Sequence, residues 1–115
     1  MTEGRTVDVG IARDLTAFQK NILAVLAEKP RYGLAIKREL EVYYENEVNH
    51  GRLYPNLDEL VEKGLLEKSA LDKRTNEYAL TDAGLDAVEA DLRWSFDHYL
   101  SDESRYETIE SLLEE

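Results

Sequence analysis

From Phe18 onward the apolar residues recur at helical spacing. Phe18, Ile22, Val25 and Leu26 form the first stripe, the three-and-four rhythm of an amphipathic helix. Thr16-Ala17-Phe18-Gln19 stands at its head and fits a capping box, in which hydroxyl and amide satisfy each other's orphan backbone donors. Lys29-Pro30 closes it, because proline disfavours helical geometry in the residue before it. After a tight turn, Pro30-Arg31-Tyr32-Gly33, a second helix is predicted with Leu34, Ile36, Leu40 and Tyr43 buried, and with Lys37 and Arg38 on its polar side. Val48 is read as a single strand residue before a third helix, His50 to Lys63, with Asn49 as its N-cap. On a helical wheel Leu53, Leu57, Leu60 and Val61 share one arc, while Arg52, Asn56, Glu59 and Lys63 share another. Pro55 falls inside this helix, so a kink or 3₁₀ start is expected there; the carbonyl its ring would crowd belongs to Gly51.

Gly64 supplies a left-handed helix stop. Two strands follow, Leu65 to Ser69 and Glu77 to Leu80, joined by a loop carrying Lys73 and Arg74. Thr81 caps a long helix, with Asp82 and Asp86 near its positive end. Along it Leu85, Val88, Leu92, Phe96 and Tyr99 keep the spacing of a coiled-coil seam. Ala83, Ala87, Ala90 and Trp94 mark a second stripe. Two apolar faces on one acidic helix call for a second chain as cover, hence a homodimer; a helix sandwiched within its own domain is the alternative. Ser104-Arg105-Tyr106-Glu107 predicts a capped terminal helix with Ile109, Leu112 and Leu113 on its apolar side. The loose alternation of Val7, Val9 and Ile11 predicts a short strand or extended arm. The chain then divides into an N-terminal arm (1–14), a winged-helix DNA-binding domain (15–81) and a C-terminal helical dimerisation element (82–115). The fold class is mainly α with a small β-wing: a winged helix-turn-helix followed by dimerisation helices.

Composition narrows the chemistry. With no cysteine among its 115 residues the chain has no disulfide, thiolate metal site or thiol redox switch. Neither a membrane span nor a secretion signal is visible, which predicts a cytoplasmic protein. The net charge of −11 opposes nucleic-acid binding at first sight. Its distribution does not: residues 1–80 hold 12 basic and 14 acidic side chains, residues 81–115 hold 2 and 11. The acid is concentrated in the tail, as suits a protein hydrated in strong salt. An ordinary acidic protein of a low-salt cytosol has the same composition.

On the third helix, Arg52 has the geometry to read guanine bidentately and Asn56 to read adenine. Lys73 and Arg74 form a basic loop tip suited to phosphate or minor-groove contact. Tyr32, Lys37, Arg38 and Lys63 are candidates for backbone positioning, and Asn49 belongs to the segment laid into the groove. Standing alone, such a polar stripe is more often a solvated helix face, and such a loop a solubilising one. Catalysis has little support. There is no Gly-rich phosphate loop, and His50 and His98 are too far apart in sequence to mark a ligand pair, so neither catalytic nor metal residues are expected. A protein-interaction adaptor without direct DNA binding is the competing reading.

Tyr32-Gly33, Gly51, Leu53-Tyr54-Pro55, Leu57, Leu60, Gly64-Leu65, Arg74, Tyr78, Leu80-Thr81 and Gly84 occur in an order and spacing that resemble the PadR-like family of winged-helix regulators. Over about residues 15–100 the chain looks like a haloarchaeal member. The resemblance implies a dimer on a pseudo-palindromic operator of double-stranded DNA, pairing through the helix after the wing, and a role in the oxidative-stress response. Arg52 stands where many members carry a small hydroxyl residue, which strengthens its candidacy. The short C-terminal part offers no effector pocket, and Trp94 is expected in the core. No cofactor is expected beyond loosely bound salt ions. Dimer contacts are expected from Leu85, Val88, Leu92, Phe96, Tyr99, Ile109 and Leu112.

Overall fold

The structure, a computed structural model, describes residues 9–70, 72 and 75–114. Val7, Lys73 and Arg74, singled out above, lie outside the described residues. Helix α1 covers Val9–Asp14, so this end of the arm is helical where alternation predicted an extended chain. Six residues hold too few positions to separate a two-residue period from a helical one.

Helix α2, Ala17–Glu28, starts at the predicted capping box: Gln19 N donates to Thr16 Oγ1 and Thr16 N to Gln19 Oε1, both 3.1 Å. Lys29 before Pro30 is extended, ending the helix. The next two residues, Arg31–Tyr32, form strand β1. Helix α3 then runs Gly33–Tyr44 and buries Ile36 and Leu40. Leu34 and Tyr43, expected inside, are exposed instead. They flank the arc centred on Ile36 and Leu40, and Tyr44 takes the inner place, stacked on Phe18 at 6.0 Å with its hydroxyl accepting from Asn21 Nδ2 at 2.9 Å.

Val48 is buried but forms no strand; the third strand of the sheet is β1, earlier in the chain. The Val48 amide is satisfied by a side chain, donating to Glu41 Oε2 at 2.9 Å. Helix α4, His50–Glu62, is capped by Asn49 and is α-helical through Pro55 without a 3₁₀ segment. Leu53, Leu57 and Leu60 are fully buried, and Val61 packs against them. At its end Gly64 has φ 78°, and Leu65 N reaches back to Leu60 O at 3.0 Å, closing a Schellman turn.

Strands β2 (Leu66–Ala70) and β3 (Asn76–Leu80) pair antiparallel with Leu66 opposite Leu80, and β1 completes a sheet of order β1-β3-β2. Tyr78 is the buried anchor of β3. Helix α5, Asp82–Tyr99, is capped by Thr81 as predicted. A 3₁₀ turn at Glu103–Arg105 leads to α6, Tyr106–Glu114. The cap there is Asp102, whose Oδ1 accepts from Ser104 N at 3.0 Å, not the predicted Ser104. The core of α2, α3 and α4 under a three-stranded wing is a winged helix.

Only the first half of α5 packs on this core, through Gly84, Ala87 and Ala90. Trp94, expected inside, is 63% exposed and lies on His98 at 4.3 Å between ring centres. It comes after the helix has left the body. At Gly84 a Cβ would overlap the Leu65 carbonyl oxygen and crowd Leu80. Gly84→Ala is therefore expected to destabilise the protein by about 2 kcal/mol or more, since backbone rather than a side chain must yield. Urea unfolding of the two proteins measures the difference.

Candidate nucleic-acid interface

One exposed stripe of α4 is Gly51, Pro55, Asp58 and Glu62, small in its first half and acidic in its second, with the exposed Arg52, Glu59 and Lys63 beside it. Whatever approaches this helix face-on meets little bulk at the N-terminal end and negative charge at the other. Asp58 is within 3.9 Å of Lys68 on β2, which draws that wing strand to the helix.

The predicted polar stripe lies on one flank, against the first turn of α2. The Arg52 guanidinium rests 3.9 Å above the Phe18 ring and 5.9 Å from that of Tyr44. Stacking of this kind contributes about 0.5–2 kcal/mol and leaves the in-plane N–H donors of the fork free. Among the described residues no acid is within ion-pair distance of Arg52, and the residue as a whole is exposed. Asn56 is half-buried, donates from Nδ2 to Arg52 O at 2.7 Å and accepts on Oδ1 from Gln19 Nε2 at 3.0 Å. Glu59 accepts from the same Gln19 nitrogen at 2.6 Å and lies 3.6 Å from Lys63.

The backbone-positioning candidates divide into two kinds. Lys37 is mostly covered and bound to Glu41 at 2.7 Å. Arg38 is exposed and joins no ion pair among the described residues. Tyr32 is half exposed on β1, beside Arg31, which is held by Glu28 and, at 3.5 Å, by Glu39. Asn49 spends its side-chain oxygen on the helix cap, accepting from Gly51 N at 2.6 Å.

Between wing and helices lies a cleft of about 430 Å³ lined by Tyr32, Gly33, Leu34, Tyr54, Thr75, Asn76 and Tyr78. Gly33 lets the Tyr54 ring come close, since a Cβ there would stand 2.6 Å from the Tyr54 hydroxyl and push that side chain aside. Burial, together with the charge of Asp58, pushes the Tyr78 phenol above its ordinary value, so it stays neutral and brings no charge to the cleft.

The sequence pointed to Arg52 and Asn56 but not to their supports. Phe18 and Gln19 were legible only as a core residue and a cap, and the Gln19–Asn56 bond spans 37 positions. Of the dimerisation candidates, Leu85, Val88 and Ile109 are half-buried and Leu92, Phe96, Tyr99 and Leu112 are exposed. Among the described residues no helix is long and apolar enough to cross a membrane, and no three potential metal ligands converge.

The sequence profile of the transcriptional regulator PadR-like family matches residues 22–90. Among solved structures, RosR of Halobacterium salinarum grown from NaBr is 69% identical, the match covering 89% of this chain and 93% of that one with TM-score 0.86. The complex structure of hsRosR-S1 gives 69% identity, 89% and 91% coverage and TM-score 0.87. A PadR-like transcription factor from Bacteroides fragilis, 22% identical with TM-score 0.61 over 75% of this chain and 87% of its own, shares the fold. No curated protein matches.

The Lys37 ammonium, followed by the Val48 amide, holds the Glu41 carboxyl below the ordinary carboxylate value. A depressed folded-state value contributes stability that is present above the unfolded value and lost as pH falls through the folded one. Wild type should therefore lose stability on acidification below the ordinary carboxylate value more steeply than Glu41→Gln, which keeps the Val48 contact without the charge. Urea midpoints across that range compare the two.

Proposed function

Because the chain belongs to the PadR-like family of transcriptional regulators, we propose that it is a sequence-specific DNA-binding regulator acting as a homodimer on a pseudo-palindromic operator. The observation that carries this is Arg52: an exposed cation on α4, in no ion pair among the described residues of a chain with net charge −11, its guanidinium 3.9 Å above the Phe18 ring. Arg52 and Asn56 read bases, while Tyr32, Arg38 and the loop residues Lys73 and Arg74 position the backbone, joined by Lys63 where it exchanges Glu59 for phosphate. Lys37 would contribute only by exchanging Glu41 for phosphate.

The dimer is supported by unpartnered apolar surface. Leu92, Phe96 and Tyr99 on α5 and Leu112 on α6 are all exposed in the single chain, a density of large apolar groups that a lone subunit rarely leaves to water. Two copies paired here would set the reading helices about one DNA turn, roughly 34–36 Å, apart. Regulation then follows from occupancy of a promoter. The likeness to RosR extends the proposal to the oxidative-stress response and to cytoplasmic work in concentrated salt. Lacking cysteine, the chain would receive an oxidant signal through another molecule.

Replacing Arg52, Lys73 and Arg74 together by alanine should weaken binding to an operator selected from random duplexes by about a hundredfold or more while the dimer persists, as light scattering in molar salt would show. An adaptor would be indifferent to these changes. Counterion release gives a slope of roughly −0.9 in log affinity per log salt for each phosphate neutralised. With bound cations bridging acidic side chains to phosphates, few direct neutralisations remain. The slope should stay well short of the about −10 of a strongly basic repressor; a fluorescence-anisotropy titration in rising KCl measures it.

A further inference from the structure

Gln19 is 2% exposed, and every hydrogen-bonding atom of its side-chain amide is engaged in a definite sense. Its Oε1 accepts from the backbone N–H of Thr16, a group that can only donate. That fixes the amide's direction, so Nε2 must point toward α4, where it donates to Asn56 Oδ1 at 3.0 Å and Glu59 Oε2 at 2.6 Å. Asn56 is oriented in turn: its oxygen faces Gln19, and Nδ2 donates to the Arg52 carbonyl, which can only accept. A chain of four groups thus runs from a fixed donor to a fixed acceptor, and no amide in it can turn over without opposing like groups.

We infer that Gln19, buried behind the reading surface, is a positioning residue that sets which end of the Asn56 amide is offered to a base. An amide carries two donors and two acceptor sites. The chain consumes one of each on Asn56 and leaves one of each, the pair that recognition of adenine through N6 and N7 demands. Since Arg52 O is the terminus and Phe18, next to Gln19, is the shelf for the Arg52 guanidinium, one turn of α2 aims both reading side chains. The inference rests on the regulator reading above and names the residue that gives it sequence discrimination.

Gln19→Glu separates aiming from folding. A carboxylate keeps the capping box, accepting from Thr16 N as before, but sets an acceptor against Asn56 Oδ1 and Glu59. The test measures wild-type affinity for the operator selected from random duplexes and for each single-base-pair change in it. Asn56→Ala identifies the position Asn56 reads, where discrimination of about tenfold or more should collapse. Gln19→Glu should collapse discrimination at that same position to within about threefold, leave the other positions unchanged, and add nothing further in an Asn56→Ala background. Pairing it with Glu59→Gln removes the carboxylate repulsion and should give the same positional loss, with urea unfolding showing that the double variant is folded.

Equal weakening at every position, or unchanged discrimination, would overturn the inference. So would an Asn56→Ala protein that loses no positional preference, and in that case the regulator reading would stand. A wild-type protein that enriches no sequence would remove the regulator reading itself, and this inference with it.

Discussion

The backbone of Gly84 lies so close to the Leu65 carbonyl that the turn ending α4 and the start of α5 form a single joint. Three hydrogen bonds complete it. Thr81 N donates to Leu65 O at 3.1 Å, Thr81 Oγ1 donates to Gly64 O at 2.6 Å, and Gly84 N donates to Thr81 Oγ1 at 3.0 Å. The angle between α4 and α5 is thereby set by backbone groups and one short hydroxyl, with no long side chain to relax. The proposed dimer, which would hold two α4 helices at the pitch of DNA, gains from a joint of this kind, because a small angular error at α5 grows along its length. Lys20 and Asp91, 2.9 Å apart, tie α5 to α2 as well.

The other fixed point is the first turn of α2. Its cap, Thr16, and its cap-closing residue, Gln19, are ordinary helix chemistry, yet Gln19 also spends both amide hydrogens on α4. Phe18 does double duty as well, buried with the core while its ring supports Arg52. Helix initiation and the aim of the polar flank of α4 are consequently one problem with one solution. Disturbing the cap would be felt at Arg52 and Asn56 before it was felt in the core.

The sequence disclosed those features that a local rule governs. The capping box at Thr16, the N-cap at Thr81, the left-handed Gly64 and the arc of Leu53, Leu57 and Leu60 each follow from a few neighbouring residues, and each is where it was expected. Features decided by distant partners were hidden. The polar stripe through Arg52 and Asn56 is exposed at Arg52, Glu59 and Lys63, but its contacts with α2, which half-bury Asn56, depend on partners far away in sequence. Leu34, Tyr43 and Trp94 were assigned to the interior on hydrophobicity alone, which fails at the edges of a buried arc and on a helix that outruns its own domain. The terminal cap shifted by two residues to Asp102 because an aspartate can cap a 3₁₀ turn as well as an α-helix.

Charge pairing explains how an acidic chain can keep a usable basic surface. Lys37 with Glu41 and Lys63 with Glu59 are neutral pairs along their own helices, and a neutral pair attracts neither DNA nor counterions at long range. Arg38 and Arg52, outside any described pair, keep their charge. Of the two, Arg52 is shielded on one face by Phe18, which displaces water from the guanidinium plane without neutralising it. In concentrated salt the screening length falls to a few ångströms, so long-range attraction is lost whatever the net charge, and only contacts made at hydrogen-bond distance remain effective. An interface with few free cations and rigidly aimed amide and guanidinium groups loses little under those conditions, and the acidic tail, concentrated beyond residue 81, then imposes no long-range penalty on approach.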